Sequence, residues 1–315
     1  YESGTERIRA ESVSCGSQDW HLAMTPLNFL TWLRAEFRSA EIRFALTSGQ
    51  ACVFYGIQQT TKDSDWIIAL EDVGKLRTLL AKWDQARTCF ARYRAICGAP
   101  LDRGYLVHGW TSHLTVVEQG SEAEHHVDIF GKPPRVAQLE TDRENSDIAS
   151  RYVVGQMKKT DRDKDWPIVF SLGRQMVERG DWRGVLHLQD AASLLAVWPQ
   201  GPPAERSALI RRRPLLTMIE KSPDRLRRAI AIERTVWIAI NQARYTHYQR
   251  SWKEFYRRWR RGPEMQWPLT VDFERQHEIL LAACLEHQLP ADPFDGQARQ
   301  AAYVQALQDA AEIMA

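Results

Sequence analysis

The chain has 315 residues, of which 44% are hydrophobic and 26% charged, and its formal net charge is +2. This length and apolar content favour two domains with a substantial core and argue against a disordered or fibrous chain. No apolar run reaches the roughly 20 residues of a membrane span, and Tyr1 to Ala10 are charged rather than signal-like. The five cysteines lack the paired spacing of a zinc site or a disulfide framework. We therefore expect a soluble, cytoplasmic protein with no membrane contact.

The charge is distributed unevenly along the chain. Residues 206–261 carry 16 Lys and Arg against 4 Asp and Glu, a local excess of 12 positive charges, so the net charge of +2 leaves the rest near −10. Such a basic segment indicates a polyanionic partner as one possibility.

The apolar spacing of the first hundred residues predicts alternating helices and strands. Residues 1–23 show no clear periodicity, and Thr25-Pro26 suits the N-cap and first turn of a helix. The predicted elements in chain order are a helix over 27–37, a strand over 43–47, a short helix over 50–55, a strand over 63–70 and a helix over 73–94.

The later part of the chain changes character. Strands are predicted over 112–118 and 124–130, joined by a hairpin-like turn at Gln119-Gly120-Ser121. From about residue 147 the pattern is mainly helical. The sequence thus predicts an α+β fold, with an α/β domain over 24–157 and a helical domain over 158–315 that contains the basic segment 206–261.

Three aspartates are the candidates for chemistry. Asp63 and Asp65 lie two apart on a predicted strand, so their side chains point the same way. Asp128 lies on a later strand and supplies a third carboxylate if that strand pairs beside the first. Converging acids repel unless cations neutralise them, and Mg²⁺ (or Mn²⁺) is a hard cation that prefers such oxygen ligands. These three residues are therefore the predicted metal-binding and catalytic residues.

Ser48-Gly49 lies at the turn from a predicted strand to a predicted helix. Backbone N–H groups at such a turn can bind phosphate, and glycine permits close approach. Two metal ions at the acids can orient an acceptor hydroxyl and stabilise charge on a reacting phosphate. A turn that binds phosphates and acids that bind metal ions together predict a nucleoside triphosphate as co-substrate. In transfer reactions of this type, positioning and electrostatics supply most of the catalysis.

The order of these motifs resembles the nucleotidyltransferase superfamily, and most closely the AbiEii-type proteins of toxin-antitoxin and abortive-infection pairs. Ser48-Gly49, a short helix, and Thr61-x-Asp63-Ser64-Asp65 match that pattern. Two positions depart from it: Gln59 stands where the family often has Arg, and Ser64 replaces the usual apolar residue. The resemblance covers about residues 25–175 and implies a small mixed sheet flanked by helices.

A second segment carries the same resemblance. Residues 158–166 look like the family element of a Lys followed by Arg-x-Lys-Asp at the start of a helix. The resemblance implies that basic side chains here neutralise the triphosphate. The nucleotide-binding residues predicted in this way are Ser48, Gly49, Thr61, Lys158, Lys159, Arg162, Lys164 and Asp165.

Aromatic and basic residues alternate near the end of the basic segment. Trp252, Phe255, Tyr256 and Trp259 have the spacing of one helix face, which favours a buried stripe over a surface on which RNA bases stack. The arginines between and after them are either a solvated face or contacts to RNA phosphates, and both interpretations remain open.

The histidines give weaker signals. His125 and His126 adjoin Asp128, but neighbouring strand residues face opposite ways, so structural or surface roles are predicted. His108 and His113 have no visible partner, and no role is predicted for them.

The leading hypothesis is a metal-dependent nucleotidyltransferase that moves NMP from an NTP to an acceptor hydroxyl. The resemblance and the basic segment favour RNA, in particular a tRNA 3′ end, with a role as toxin or phage-defence effector and a possible cognate antitoxin. One alternative is transfer to a protein or to a small molecule such as an antibiotic. Another is a non-catalytic binding or antitoxin module with the same fold.

Overall fold

The computed structural model describes residues 26–61, 64–120, 123–261 and 271–314. Thr25, Asp63 and Ser121, which figure in the sequence predictions, lie outside these ranges. The strands are β1 Phe44–Thr47, β2 Ser64–Ile68, β3 Cys89–Tyr93, β4 Thr111–Glu118 and β5 Glu124–Phe130. The α-helices within the described ranges are α1 Pro26–Ser39, α2 Ser48–Phe54, α3 Val73–Ala86, α4 Arg103–Leu106, α5 Arg151–Met157, α6 Trp166–Glu178, α7 Ala191–Val197, α8 Pro203–Arg212, α9 Pro223–Arg261, α10 Phe273–Glu286 and α11 Gly296–Met314.

The predicted α+β class is confirmed. The strands form one mixed sheet in the order β1-β2-β5-β4-β3, in which β2 and β5 run parallel and the other neighbours run antiparallel. The predicted hairpin is also confirmed, because β4 and β5 are antiparallel neighbours with Val117 opposite Glu124 next to the turn. The mainly helical character after residue 147 is confirmed as well.

One predicted element is wrong in its second half. The helix predicted over 73–94 ends at Ala86, and residues 89–93 form the edge strand β3. Arg87 has a φ of 54°, the left-handed conformation that commonly ends a helix. Beyond it, Cys89, Ala91 and Tyr93 are buried at every second position, as a strand on a core requires.

Aromatic packing holds one face of the sheet closed. The ring of Trp66 on β2 is fully buried, and its centroid lies 5.1 Å from that of Phe37 on α1 and 5.6 Å from that of Phe44 on β1. Trp32 on α1 contacts Trp83 on α3, with ring centroids 4.7 Å apart. These edge-on and tilted contacts add to the apolar burial of large side chains. They fix α1 and α3 over this face.

The opposite face is partly open to solvent. Alternate residues of β4, from Thr111 to Val117, are only half-buried on this side, whereas the residues between them are buried on the other. On β5, Glu124 and His126 are exposed on the open side. Helix α2 packs against β1 and β2 and contacts α5, so it covers that half of the sheet.

The hydrophobic core extends into the C-terminal helices. Tyr248, Phe255 and Trp259 of α9 and Phe273 of α10 belong to the same buried cluster as the sheet residues. A second buried cluster lies between residues 185 and 230. The boundary at 157/158 remains a prediction, since the main cluster contains residues from both sides of it.

The predicted buried stripe is confirmed for two of its four aromatic residues. Phe255 and Trp259 are 3% and 4% exposed, and Trp252 and Tyr256 are half-buried against the core. Their spacing along α9 places them on one side of the helix.

Within the described ranges, no helix combines the length and the apolar character that a bilayer crossing requires.

Replacing Trp66 by Ala is expected to lower the free energy of unfolding by about 3–5 kcal/mol, because it removes a buried ring and leaves a cavity against Phe37 and Phe44. The matched control is Leu285→Ala on α10, where the side chain is 71% exposed and the change is expected to stay within about 0.5 kcal/mol. Urea denaturation measures both. Equal destabilisation by the two substitutions would contradict this assignment of the core.

Candidate functional site

A row of polar residues crosses the open face of the sheet. Thr47 on β1 is paired with Asp65 on β2, Asp65 with Asp128 on β5, and Asp128 with His113 on β4. Residues directly opposite each other on neighbouring strands point to the same face. Since neighbouring strands lie about 4.8 Å apart, the two carboxylates occupy adjacent positions on that face. The pairing that the Asp128 prediction required is therefore present.

Ser64 helps to fix this pairing. Its side chain is 5% exposed, and its Oγ donates a hydrogen bond of 2.8 Å to the backbone oxygen of His126 on β5. Ser64 is one of the two positions that depart from the nucleotidyltransferase pattern. A polar residue at this buried position thus has a structural role in joining β2 to β5.

Asp128 has two cationic or polar neighbours that the sequence predictions missed. His113 Nδ1 lies 2.7 Å from Asp128 Oδ1, with the carboxylate as acceptor, and Arg94 Nη1 lies 3.7 Å from the same oxygen. The prediction of no role for His113 is corrected by this contact. Counting residue pairs outward from the predicted hairpin turn places His113 opposite Asp128. This register is the signal from which the contact could have been predicted. Arg94 was hidden by the incorrect helix over 73–94.

The strand-to-helix turn at Ser48-Gly49 is conformationally unusual. Ser48 has a φ of 52°, which is uncommon for a residue with a side chain and costs on the order of 1–3 kcal/mol. The chain passes from β1 to α2 without an intervening loop, so Ser48 absorbs the change of direction. Such strain persists only where the surrounding structure imposes it and is found frequently at functional sites.

Gly49 brings Thr61 to this turn. A Cβ atom at Gly49 would lie 2.5 Å from Thr61 Oγ1 and 2.9 Å from Thr61 Cβ, so only glycine fits. Thr61 is therefore in direct contact with the turn, two residues before Asp63. The structure places three of the predicted nucleotide-binding residues, Ser48, Gly49 and Thr61, together.

Thr47 connects the turn to α5. Its side chain is fully buried, and its Oγ1 lies within hydrogen-bonding distance of Met157 Sδ, at 3.3 Å, instead of capping α2. The first N–H groups of a helix have no partner within the helix. The start of α2 is thus left without a side-chain cap from Thr47.

The segment after α5 forms a charged cluster around Asp165. The Asp165 side chain is 1% exposed, and it accepts hydrogen bonds from Thr160 Oγ1 at 2.5 Å and from Arg162 Nη2 and Nε at 2.7 and 2.9 Å. Lys158 Nζ lies 3.5 Å from the other Asp165 oxygen. Asp165 therefore holds two of the predicted phosphate-neutralising cations in place and offsets part of their charge. Lys164 is exposed to solvent.

Cys52 on α2 shows that the turn, the acids and this cluster are neighbours. Burial raises the pKa of its thiol to about 11, Lys158 acts to lower it, and Asp165 and Asp65 act to raise it. Electrostatic effects of this kind require proximity. Cys52 consequently lies near Asp65 as well as near the Asp165 cluster.

The structure separates Lys159 from the other predicted nucleotide-binding residues. Its amine is buried, donates a hydrogen bond of 2.8 Å to the backbone oxygen of Leu186, and lies 5.8 Å from the ring centroid of Trp237 on α9. The prediction grouped Lys159 with Lys158, but adjacent residues at the end of α5 point in different directions. Lys159 belongs to the packing between the helices.

The histidines next to Asp128 behave as predicted. The His125 ring stacks on Phe29 of α1 with centroids 3.9 Å apart, which is a structural role, and His126 is exposed. Neither is among the hydrogen-bond partners of Asp128 described above.

The donor set can be tested against the predicted metal. Among the described residues, which exclude Asp63, no group of three or more His, Cys, Asp or Glu side chains is arranged to hold a metal ion. Asp65 and Asp128 supply two adjacent carboxylates. This fits Mg²⁺, which is usually held by one or two carboxylates together with substrate phosphates and water rather than by a cage of protein ligands.

No model of a known protein family matches the chain, and no curated protein shows significant sequence similarity to it.

Replacing Gly49 by Ala is expected to destabilise the protein by about 1–3 kcal/mol, because the new methyl group overlaps Thr61. The matched control is Gly74→Ala in α3, where a Cβ meets no atom within 4 Å and alanine is expected to be neutral or stabilising. Thermal unfolding of both variants and of Gly49→Ala combined with Thr61→Gly tests the contact. The account requires the added Thr61→Gly substitution to recover stability, and a purely additive loss would contradict it.

Lys159 is expected to make stability depend on pH. Burial lowers its pKa to about 7, whereas the unfolded chain has an ordinary lysine pKa of about 10.4. Between these values the unfolded state binds the proton and the folded state does not, so the free energy of unfolding rises with pH. Relative to Lys159→Met, the wild type is expected to gain up to about 1.4 kcal/mol per pH unit in this window. Urea unfolding from pH 6.5 to 10 measures the difference, and parallel profiles would refute it.

Proposed function

We propose that this chain is a metal-dependent nucleotidyltransferase that transfers NMP from an NTP to an acceptor hydroxyl. The observation that carries the proposal is the parallel register of β2 and β5, which places Asp65 beside Asp128 on the open face of the sheet. The five-stranded mixed sheet flanked by helices is compatible with the nucleotidyltransferase fold. Asp63, two residues from Asp65 in the sequence, is the third acid of the proposed site.

The turn at Ser48-Gly49 supports binding of the triphosphate. Glycine allows close approach of the backbone, and the strained Ser48 and the contact with Thr61 hold the turn in one conformation. Lys158 and Arg162, held by Asp165, lie in the neighbouring cluster and supply positive charge. We assign the triphosphate to the side of the site formed by the turn, Lys158 and Arg162, and the reacting α-phosphate to the side formed by the acids.

The proposed reaction is a substitution at the α-phosphorus. The oxygen of the acceptor hydroxyl forms a bond to the α-phosphorus, the bond between that phosphorus and the α–β bridging oxygen breaks, and pyrophosphate leaves. The hydroxyl proton passes to solvent. Bound Mg²⁺ supplies charge stabilisation at the phosphates and lowers the pKa of the attacking hydroxyl.

The residues of the chain then position these groups. Asp65 and Asp128 hold the cation-binding oxygens side by side, and His113 fixes the orientation of the Asp128 carboxylate through its Nδ1 contact. Arg94 is close enough to compensate charge on Asp128. Holding reactants in place accounts for a large share of the rate in transfers of this type.

RNA is the acceptor class we favour, because the basic segment 206–261 provides charge for a polyanion. A tRNA 3′ end, a toxin or phage-defence role and a cognate antitoxin are proposed from the resemblance alone.

Asp65→Asn and Asp128→Asn are expected to lower the rate of nucleotidyl transfer by at least about 100-fold, since loss of a metal-binding carboxylate removes several kcal/mol of transition-state stabilisation. The assay incubates full-length protein with Mg²⁺, each labelled NTP in turn and total RNA, and follows label in the RNA. Asp309→Asn, at an exposed position on α11, is the matched control and is expected to retain wild-type activity.

The same assay separates the competing outcomes. Transfer to RNA by the wild type and the control but not by the two site variants supports the proposal. Transfer that persists in Asp65→Asn would contradict the assignment of the site. The absence of label from the RNA, protein and small-molecule fractions would contradict the proposed activity. A non-catalytic module with the same fold predicts this last result.

A further inference from the structure

The excess of positive charge in residues 206–261 is not uniformly available for binding. Arg213 is buried and forms an ion pair of 2.6 Å with Glu233. Arg244 is half-buried and donates a hydrogen bond to the backbone oxygen of Gly109. Arg234 is paired with Asp163. These arginines hold helices and loops together, so the composition overstates the charge that a partner would meet.

Four exposed cations lie together at the C-terminal end of α9. Lys253, Arg257 and Arg261 follow one another at intervals of four residues, which places them in one row along the helix, and Arg260 lies in the adjacent row. Within the part of the chain that the structure describes, no carboxylate forms an ion pair with any of the four. Their charge therefore faces solvent.

Two aromatic residues lie beside these cations. Trp252 and Tyr256, in the same row as Arg260, stack with ring centroids 4.9 Å apart and planes inclined by 10°. Both rings are half-buried, so one edge packs on the core and the other remains accessible. Together the six side chains line an open groove of about 390 Å³, which we call the α9 groove: Trp252, Lys253, Tyr256, Arg257, Arg260 and Arg261.

The α9 groove is one layer of side chains away from the partners of Asp128. Trp252 and Tyr256 also line a small cavity whose other walls include Arg94 and His113, the two residues that contact Asp128. That cavity holds only about 20 Å³, room for about one water molecule. The aromatic pair thus lies between the groove and the two residues that contact Asp128.

We propose that the α9 groove binds single-stranded RNA and directs its end toward the polar row at Asp128. Unpaired cations in a row complement a phosphate backbone, and accessible aromatic rings contact unpaired bases without selecting a sequence. Paired bases in a duplex do not offer their faces to such rings. The α9 groove is thereby assigned as the acceptor surface of the proposed nucleotidyltransferase. The direction of the RNA end rests on that proposed function, whereas the binding of RNA to the groove does not.

The test is direct binding without catalysis. Fluorescence anisotropy of a labelled 12-nucleotide RNA of mixed sequence is measured with the full chain, without NTP or Mg²⁺, over a series of salt concentrations. The groove variant combines K253Q, R257Q, R260Q and R261Q. The control variant removes the same charge from other exposed positions through R211Q, K221Q, R225Q and R228Q.

The groove variant is expected to bind the single strand about 100-fold more weakly at about 0.1 M salt, and its slope of log affinity against log salt is expected to fall by about 3, since each lost phosphate contact contributes about 0.7. The control variant is expected to retain both values. Trp252→Leu and Tyr256→Leu, which keep an apolar side chain against the core, are expected to weaken binding about tenfold with the slope unchanged.

Three outcomes would overturn the inference: unchanged affinity in the groove variant, an equal loss in the control variant, or binding of duplex RNA and heparin as tight as that of the single strand. Thermal unfolding of each variant confirms that it remains folded. If the groove variant still transfers label to RNA and binds RNA with unchanged affinity, the groove proposal is contradicted and the nucleotidyltransferase proposal is not. Loss of RNA binding in the groove variant, with no transferase activity in the wild type, would support the groove and contradict the nucleotidyltransferase proposal.

Discussion

The parallel pairing of β2 with β5 is the constraint on which the site depends. A shift of one residue would turn Asp65 or Asp128 to the opposite face, because strand side chains alternate. The antiparallel register of β1 with β2 places Thr47, and with it the strained turn that follows, beside Asp65. Burial of Trp66 and the hydrogen bond from Ser64 to β5 both oppose such a shift. The core and the candidate site are therefore two consequences of one alignment.

The sequence predicted those parts of the fold that local pattern determines. The β4–β5 hairpin and the strand-to-helix turn at Ser48 follow from alternation and turn residues, and both are present. Strand β3 was missed because Ala91 and its neighbours also fit a helical period, and pairing with β4 decides between the two. The partners of Asp128 and the direction of Lys159 depend on contacts between distant segments, which no local pattern contains.

Helix α9 shows why composition alone gives an incomplete account of charge. Within this helix of 39 residues, Arg244 is half-buried and donates a hydrogen bond to the backbone oxygen of Gly109, and Tyr248 donates one to the backbone oxygen of His108. Burial lowers the pKa of Arg244 from its ordinary value, so a cation held in this way is costly and structural. The exposed cations are concentrated beyond that point, next to the aromatic pair. One helix thus anchors the sheet with its middle part and presents charge with its end.

The central claim is that Asp65 and Asp128 jointly bind the cation that accompanies an NTP. Anomalous scattering from crystals soaked with Mn²⁺ and a non-hydrolysable NTP tests it most directly. The account predicts an anomalous peak between the two carboxylates, within about 2.0–2.6 Å of an oxygen of each, and the triphosphate at the Ser48-Gly49 turn. A peak elsewhere, or a triphosphate bound away from this turn, would contradict it.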